Sequence, residues 1–337
     1  MGEASAFRQA AKSVSNWGRW GYQDEIGTLN FITPNVVKRA ISSVKDGTTY
    51  SLGIELGPDG PQSGPKGKIS PFRANPQHFM VVDGGDESLL SGMADGLGNS
   101  VAVAVQRAGE DSLFRFNDDY IMMPLQAATQ WDSLAHVYYD RKLYNGFDAT
   151  TVTSFGAARN SIGRVAERGG VVSRGVLLDI ARHRGVQCIE GGEPILPDEL
   201  DEVANAEHVS IQRGDVVIIR TGWMGHFLEH RDGDFHGNGL SWRCAAWLHD
   251  HEVAAVAADN RAVEASHVRS VPETRLPLHL LAQRDMGMMF GELFHLEELA
   301  TVCAADGRFD FCLAAPALNV VGGVGSPINP VAIRLMR

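Results

Sequence analysis

The chain has 337 residues and a formal net charge of −11 at pH 7, with 44% hydrophobic and 21% charged residues. This composition is typical of a globular protein with a buried core, and the acidic excess argues against nucleic-acid binding, which needs a basic face. No apolar run approaches the roughly 18 residues of a membrane span, and the N-terminal residues lack the apolar stretch of a secretory signal. The four cysteines form no CxxC pair, so we expect reduced thiols and a cytoplasmic protein.

In chain order, the first predicted element is a short helix that begins at Pro34. Thr33 precedes it as an N-cap, and proline is favoured at the first helical position. The segment 57–74 is rich in proline and glycine. Because patterned segments flank it, we predict a long loop there and not an interdomain linker.

The C-terminal two-thirds alternates short apolar runs with helical stretches. The apolar runs predict strands at 175–179, 215–220, 253–258, 286–290 and 311–315. The stretches between them predict helices at 198–206 and 242–249. The run 253–258 also fits a buried helix, but its length favours a strand. This alternation predicts an α/β architecture whose sheet is buried on both faces.

Several predicted strands end in polar residues, notably Asp179, Thr221 and Asp259. Ligands of α/β proteins gather beyond the carboxyl ends of the strands, so these residues are candidates for a binding site. The alternative is that they are ordinary polar loop residues.

The densest group of reactive side chains lies in the segment 125–140. Asp132 and His136 are four residues apart, so they would share one face of a helix. On such a face the two side chains can share a metal ion, or the aspartate can orient the histidine as a general base. The alternative is a surface ion pair.

A second group runs from His279 to Glu292. Glu292 follows an apolar predicted strand, and a buried carboxylate there would need a histidine or a metal ion as its partner. The alternative is an exposed glutamate at a strand end. His226 and His230 also have ligand-like spacing, but Phe227 stands where the zinc-protease motif has glutamate, which favours a half-exposed helix face.

Five segments occur in a recognisable order: 20–30 (WGYQDEIGTLN), 126–136, 220–223 (RTGW), 257–264 (ADN…E) and 279–292. On these segments the chain resembles the cyclase family, which includes bacterial kynurenine formamidase and isatin hydrolase. The resemblance implies the swivelling β/β/α fold in a single compact domain, 1–337. It also implies a homodimer or homotetramer, and the residues 1–50 are a candidate arm at the interface or the pocket.

The family motif reads H-x-G-T-H-x-D-x-x-x-H, and Gln126 and Gln130 stand here in place of the two leading histidines. In the family those histidines and the aspartate bind divalent metal, and the last histidine is the acid/base. The resemblance therefore implies that Asp132 is a metal ligand and that His136 is the acid/base.

The family's later metal ligands match His279 and Glu292. With Asp132 they form a set that suffices for one divalent cation, Mn, Zn or Mg. The alternative is a site without metal. In that case Gln126 and Gln130 would donate amide hydrogen bonds to a substrate carbonyl or would position water.

The implied reaction is hydrolysis of a small cyclic or aryl amide or lactone, with water activated by His136. Trp131 and Tyr139 are candidates for the walls of an aromatic substrate pocket, alongside Gln126 and Gln130. One alternative is a metal-independent cyclase or dehydratase that uses the same groups. Another is a non-catalytic relative that binds a small molecule.

Overall fold

The computed structural model describes residues 3–42, 44, 47–64, 67–68, 72–84, 116–231, 238–265, 270–271 and 273–334. Within these ranges the helices are α1 (Glu3–Ser13), α2 (Pro34–Ser42), α3 (Ile162–Glu167), α4 (Ile180–His183), α5 (Pro197–Ala206), α6 (Trp223–His230), α7 (Cys244–Asp250), α8 (Pro277–His279) and α9 (Glu297–Asp306). A π-helix, Leu280–Met286, continues α8, and 3₁₀ turns span Gly27–Phe31, Tyr144–Gly146 and Ala149–Thr151. None of the helices in these ranges is long and apolar enough to span a bilayer.

The strands are β1 (Thr48–Ser51), β2 (Ser63–Gly64), β3 (Gly67–Lys68), β4 (Gln77–Val82), β5 (Asp118–Met122), β6 (Gln130–Asp132), β7 (Val152–Thr153), β8 (Gly156–Ala157), β9 (Val171–Asp179), β10 (Val216–Arg220), β11 (Ala255–Ala258), β12 (Met289–Glu292), β13 (Asp310–Ala315), β14 (Gly325–Pro327) and β15 (Val331–Arg334). In the described part of the chain, nine of them form one sheet in the order β1–β15–β13–β9–β10–β11–β12–β6–β14. The central strands β9 to β12 are parallel, and the outer strands pair antiparallel. The predicted C-terminal strands and helices are confirmed to within a few residues.

The sheet is buried on both faces, as the apolar runs predict. Alternate residues of β10 divide between two cores, with Val217 and Ile219 on one face and Val216 and Ile218 on the other. The first core holds side chains from α1, α5, α7 and the π-helix, whereas the second holds side chains from α2, α3 and α9. The α/β class is therefore confirmed.

One local prediction is wrong. Asp132 lies on strand β6 and not on a helix, and a turn in which the His136 N–H donates to the Ser133 carbonyl follows it. The two side chains nevertheless meet, because that turn returns His136 towards the end of β6, with Nε2 3.8 Å from Asp132 Oδ2.

The N-terminal segment caps the C-terminal end of the π-helix with hydrogen bonds. Asn16, Trp17 and Thr28 donate hydrogen bonds of 2.8–3.0 Å to the carbonyls of residues 284–287. Carbonyls at a helix end lack partners within the helix, so these donors stabilise that end. Gly27 allows the close approach, because a Cβ there would lie 1.9 Å from the carbonyl oxygen of Gly287. A role of the residues 1–50 at a subunit interface stays a prediction.

The polar residues at the carboxyl ends of the strands bind each other. Arg220 donates to Asp179 at 2.8 Å and forms a second ion pair with Glu297. Asp259 accepts three hydrogen bonds from Thr221 and Gly222. These contacts favour the second interpretation of the strand ends, in which the polar residues hold loops in place.

Glu207, next to this network, carries a prediction about stability. Its Oε1 accepts the Asp179 N–H at 3.0 Å, but Oε2 has no partner among the described residues. Burial raises the pKa of Glu207 from 4.5 to about 8. A carboxyl whose pKa is raised on folding stabilises the folded state below its unfolded pKa and loses that contribution as the pH rises through the folded pKa.

We therefore expect the free energy of unfolding to fall between pH 4.5 and about 8, and Glu207→Gln to flatten that fall. Urea unfolding at half-unit pH steps measures both slopes. Glu167→Gln is the control, because that carboxylate lies in solvent beside Arg164. Equal slopes in the wild type and Glu207→Gln would contradict the prediction.

Candidate active site

Three polar side chains meet on one face of the sheet, where β6 pairs with β12. In this antiparallel pair Asp132 lies opposite Phe290, and Gln130 lies opposite Glu292. Directly opposed residues point to the same face, so Gln130, Asp132 and Glu292 project with Phe290 into the first core. All three are buried.

His279 reaches the same face from the end of α8. Its ring lies edge-on to Phe290 with 4.7 Å between the centroids. Nε2 is 3.3 Å from Glu292 Oε1, and Nδ1 is 2.5 Å from Glu264 Oε1. The imidazole is thus held at both nitrogens by buried carboxylates.

Glu264 fixes both the helix and the ring. Its two oxygens accept the backbone N–H groups of Leu278 and His279 at 3.0 and 2.8 Å, in addition to the contact with Nδ1. A carboxylate that binds Nδ1–H leaves Nε2 free to act as a ligand. The sequence includes Glu264 in a recognised segment, but no pattern in it indicates this role.

Asp132, His279 and Glu292 form the group in the described residues that could hold a metal ion, with ligand atoms within 4.8 Å of one another. Two ligands bound at about 2.0–2.2 Å to one ion lie about 3–3.5 Å apart, and the 3.3 Å between His279 and Glu292 falls in that range. Asp132 Oδ2 is buried and accepts no hydrogen bond from the part of the chain that the structure describes. The donor set therefore fits one divalent cation.

The charges of the three groups depend on one another. Burial raises the pKa of Asp132, and the nearby Glu292 acts in the same direction. Burial alone would raise the pKa of Glu292 as well, but the hydrogen bond and the charge of His279 outweigh it and lower that pKa. Burial would lower the pKa of His279, but Glu264 and Glu292 raise it to about 10. Cation binding would therefore displace a proton from His279.

His136 stands at the open side of the cluster. Its side chain is 23% exposed, whereas that of Asp132 is 1% exposed, and 3.8 Å separate its Nε2 from Asp132 Oδ2. A partly exposed imidazole beside a buried carboxylate can exchange a proton with a bound small molecule. The structure thus brings His136 together with the cluster.

Gln126 lies beside the cluster on the opposite side from Glu292. Gly325 of β14 pairs with Asp132, and a Cβ on Gly325 would lie 2.5 Å from Gln126 Nε2. The glycine therefore makes room for the amide. Gln126 Nε2 is buried without a hydrogen-bond acceptor within the described ranges, so it can donate to a bound molecule.

Trp131 is not brought together with these groups. It is fully buried in the second core, its Nε1 donates to the Ala315 carbonyl at 2.9 Å, and its ring packs edge-on against Phe294. Because side chains alternate along a strand, Trp131 points away from Gln130 and Asp132. The predicted contact with substrate has no support in this packing.

Trp131→Ala is expected to lower the free energy of unfolding by about 3–5 kcal/mol, because it leaves a large cavity in the core. Trp131→Phe is expected to cost less, because it fills most of that volume. Chemical denaturation measures both variants. A loss of ligand binding with unchanged stability in Trp131→Ala would contradict a purely structural role.

Tyr139 also lies away from the cluster. Its hydroxyl donates to Asp285 at 2.8–2.9 Å, and Arg284 lies over its ring at 4.0 Å from the centroid. It lines a surface cavity of about 380 Å³ with Arg8 and Trp17. Tyr139 therefore belongs to the contacts that hold α1 to the π-helix, and the predicted wall of the substrate pocket has no support in its position.

The chain folds as a nine-stranded α/β sheet with a histidine–carboxylate cluster near one edge. Residues 50–265 match the family model named Cyclase. A solved structure described as a novel cyclase is 36% identical, covers 95% of this chain and 99% of its own, and has a TM-score of 0.81. The chain therefore belongs to the cyclase family.

Two isatin hydrolases share the fold at lower identity. Isatin hydrolase A from Labrenzia aggregata, solved with benzyl benzoate, is 15% identical over 89% of this chain and 99% of its own, with a TM-score of 0.60. Isatin hydrolase A from Ralstonia solanacearum is 15% identical over 90% and 99%, with a TM-score of 0.58. No functionally curated protein matches the sequence. The cyclase-like fold that the motifs imply is confirmed.

Proposed function

We propose that the protein hydrolyses the C–N or C–O acyl bond of a small cyclic or aryl amide or lactone. The observation that carries the proposal is the meeting of His136 with the buried group of Asp132, His279 and Glu292. One partly exposed base next to one buried set of ligands is an arrangement that can catalyse hydrolysis of an acyl bond. The two similar isatin hydrolases support the same class of reaction.

His136 takes the proton from the attacking water and returns it to the leaving nitrogen or oxygen. Asp132 lies beside the imidazole, and the 3.8 Å between its Oδ2 and His136 Nε2 is too long for a direct hydrogen bond. Gln126 donates its unpaired Nε2–H to the substrate carbonyl, which stabilises the negative charge that develops on that oxygen.

Asp132, His279 and Glu292 would hold one divalent cation, and Mn, Zn or Mg is proposed for it. When bound, the cation would polarise the carbonyl and lower the pKa of water. Glu264 keeps Nδ1 of His279 occupied, so Nε2 is the nitrogen that the site can use. The same acid–base groups also suit a cyclase-type or dehydratase-type reaction, because Gln130 Nε2 donates to Asp132 and to Glu292 and can hold both carboxylates in place of a cation.

The test is a panel of an isatin-type lactam, an aryl formamide and an aryl lactone. Purified protein is assayed with each at pH 7.5, with and without 1 mM MnCl₂, and the ring-opened or deformylated product is identified by mass spectrometry. Release of a carboxylate product from any of them supports the proposal. Ligand binding without turnover throughout the panel would favour the non-catalytic alternative.

We also propose that the assembly is a homodimer or homotetramer and that the protein is cytoplasmic. Sedimentation velocity measures the first, and a monomer at micromolar concentration would overturn it.

A further inference from the structure

Only the nitrogen of the Gln130 side-chain amide has hydrogen-bond partners among the described residues. Its Nε2 donates to Asp132 Oδ1 at 3.3 Å and to Glu292 Oε2 at 3.2 Å. Its Oε1 is fully buried and has no hydrogen-bond donor among the described residues. A buried acceptor without a donor costs about 1–3 kcal/mol, so no hydrogen bond holds the amide oxygen in its present position.

The Nε2 donor and a cation would compete for the same carboxylates. A divalent ion between Asp132 and Glu292 would face the positive end of the Gln130 amide, which already lies against both groups. The amide hydrogens carry partial positive charge, so they would repel a cation held between the same two carboxylates, and a buried site screens this repulsion weakly. The amide must therefore either leave or turn its oxygen towards the cation.

We propose that Gln130 is a ligand of the cation and that it sets the selectivity of the site. The amide turns by about half a revolution, so that Oε1 faces the cation that Asp132, His279 and Glu292 hold. This inference rests on the cation site of the proposed function.

The turned amide changes the chemistry of the donor set. With Oε1 of Gln130, the set has oxygens from two carboxylates and one amide, and a single imidazole nitrogen. Carboxylate and carbonyl oxygens suit Mn²⁺ and Mg²⁺, whereas imidazole and thiolate suit Zn²⁺. Zn²⁺ binds most nitrogen and oxygen sites more tightly than Mn²⁺, so selectivity is expressed as the ratio of the two dissociation constants. Gln130 should move that ratio towards Mn²⁺.

Calorimetric titration with MnCl₂ and ZnCl₂ tests the proposal without an activity assay. The variants are Gln130→Met, which keeps the length of the side chain and removes the amide, and Gln130→His, which supplies a nitrogen. We expect Gln130→Met to weaken Mn²⁺ binding about tenfold or more. We expect Gln130→His to shift the ratio of dissociation constants towards Zn²⁺ by at least about tenfold.

Gln126→Met is the matched control. It makes the same chemical change beside Asp132, but at an amide that makes no hydrogen bond to a carboxylate within the described residues. Its Mn²⁺ affinity should stay within about twofold of the wild type. Circular dichroism and thermal melting without cation establish that each variant is folded.

The outcomes separate the two proposals. If the wild type binds Mn²⁺ and Gln130→Met binds it equally or more tightly, Gln130 is a bystander or a competitor, and this inference fails while the cation site stands. If the wild type binds neither ion, the cation site and this inference fail together. The substrate panel without added cation would then still test whether the protein is a hydrolase.

Discussion

His136→Ala should reduce kcat/KM for the hydrolysed substrate by about 10²–10⁴-fold, the contribution of a general acid–base group. The loss is expected in kcat, because His136 moves a proton and lies outside the group of three cation ligands. Mn²⁺ affinity should change little, since Asp132, His279 and Glu292 remain. Steady-state kinetics and calorimetry on the same preparation measure both quantities.

His136→Gln and His230→Ala complete this experiment. Glutamine keeps a polar side chain but cannot carry the proton, so it should be as inactive as alanine. His230 is exposed and stacks on His226 at the end of α6, so its removal should leave kcat unchanged. Full activity in His136→Ala would exclude His136 as the base and would move the proton transfer to another group.

Glu264→Gln is expected to weaken Mn²⁺ binding by about 10–100-fold, the usual effect of losing the carboxylate that orients a histidine ligand. The carboxylate holds Nδ1 of His279 and two backbone N–H groups at once, and glutamine can reproduce only part of these contacts. The dissociation constant for Mn²⁺ should rise by more than the unfolded fraction of the variant can explain.

Glu167→Gln is the matched control, because Glu167 lies in solvent on α3. Calorimetric Mn²⁺ titration and thermal melting of both variants separate positioning from folding. If Glu264→Gln lowers the melting temperature but binds Mn²⁺ as the wild type does, Glu264 stabilises α8 and does not position the imidazole.

The central sheet could be predicted because its strands are buried on both faces. The run 253–258 is wholly apolar, and 215–220 is apolar between its charged ends, and runs so short are typical of strands buried between two layers. The helix that begins at Pro34 could be predicted from its cap, and its Val36 N–H does lie 3.4 Å from Thr33 Oγ1.

The strand β6 could not be predicted from the sequence, and this affected the predicted geometry of the site. Three residues are too few to show a period of two, and the pairing of β6 is with β12 and β14, more than 150 residues later. The spacing of Asp132 and His136 suggested a helix, whereas a turn brings them together. Once β6 is known as a strand, alternation alone removes Trp131 from the site.

Part of the set of site residues could be predicted from the sequence. Resemblance to the family joined Asp132 with His279 and Glu292, and the structure brings these side chains within 4.8 Å of one another. The role of Glu264 could not be predicted, because it depends on the position of the start of α8 in the fold. The position of Tyr139 could not be predicted from the sequence, because its contacts come from the distant elements α1 and the π-helix.

An anomalous difference map from crystals grown with MnCl₂ and a slow substrate or product analogue tests the central claim most directly. The account predicts one manganese peak per chain within coordination distance of Asp132, His279 and Glu292, with His136 facing the bound molecule. A catalytically active protein whose map has no peak there, or whose bound molecule lies away from His136, would contradict the account.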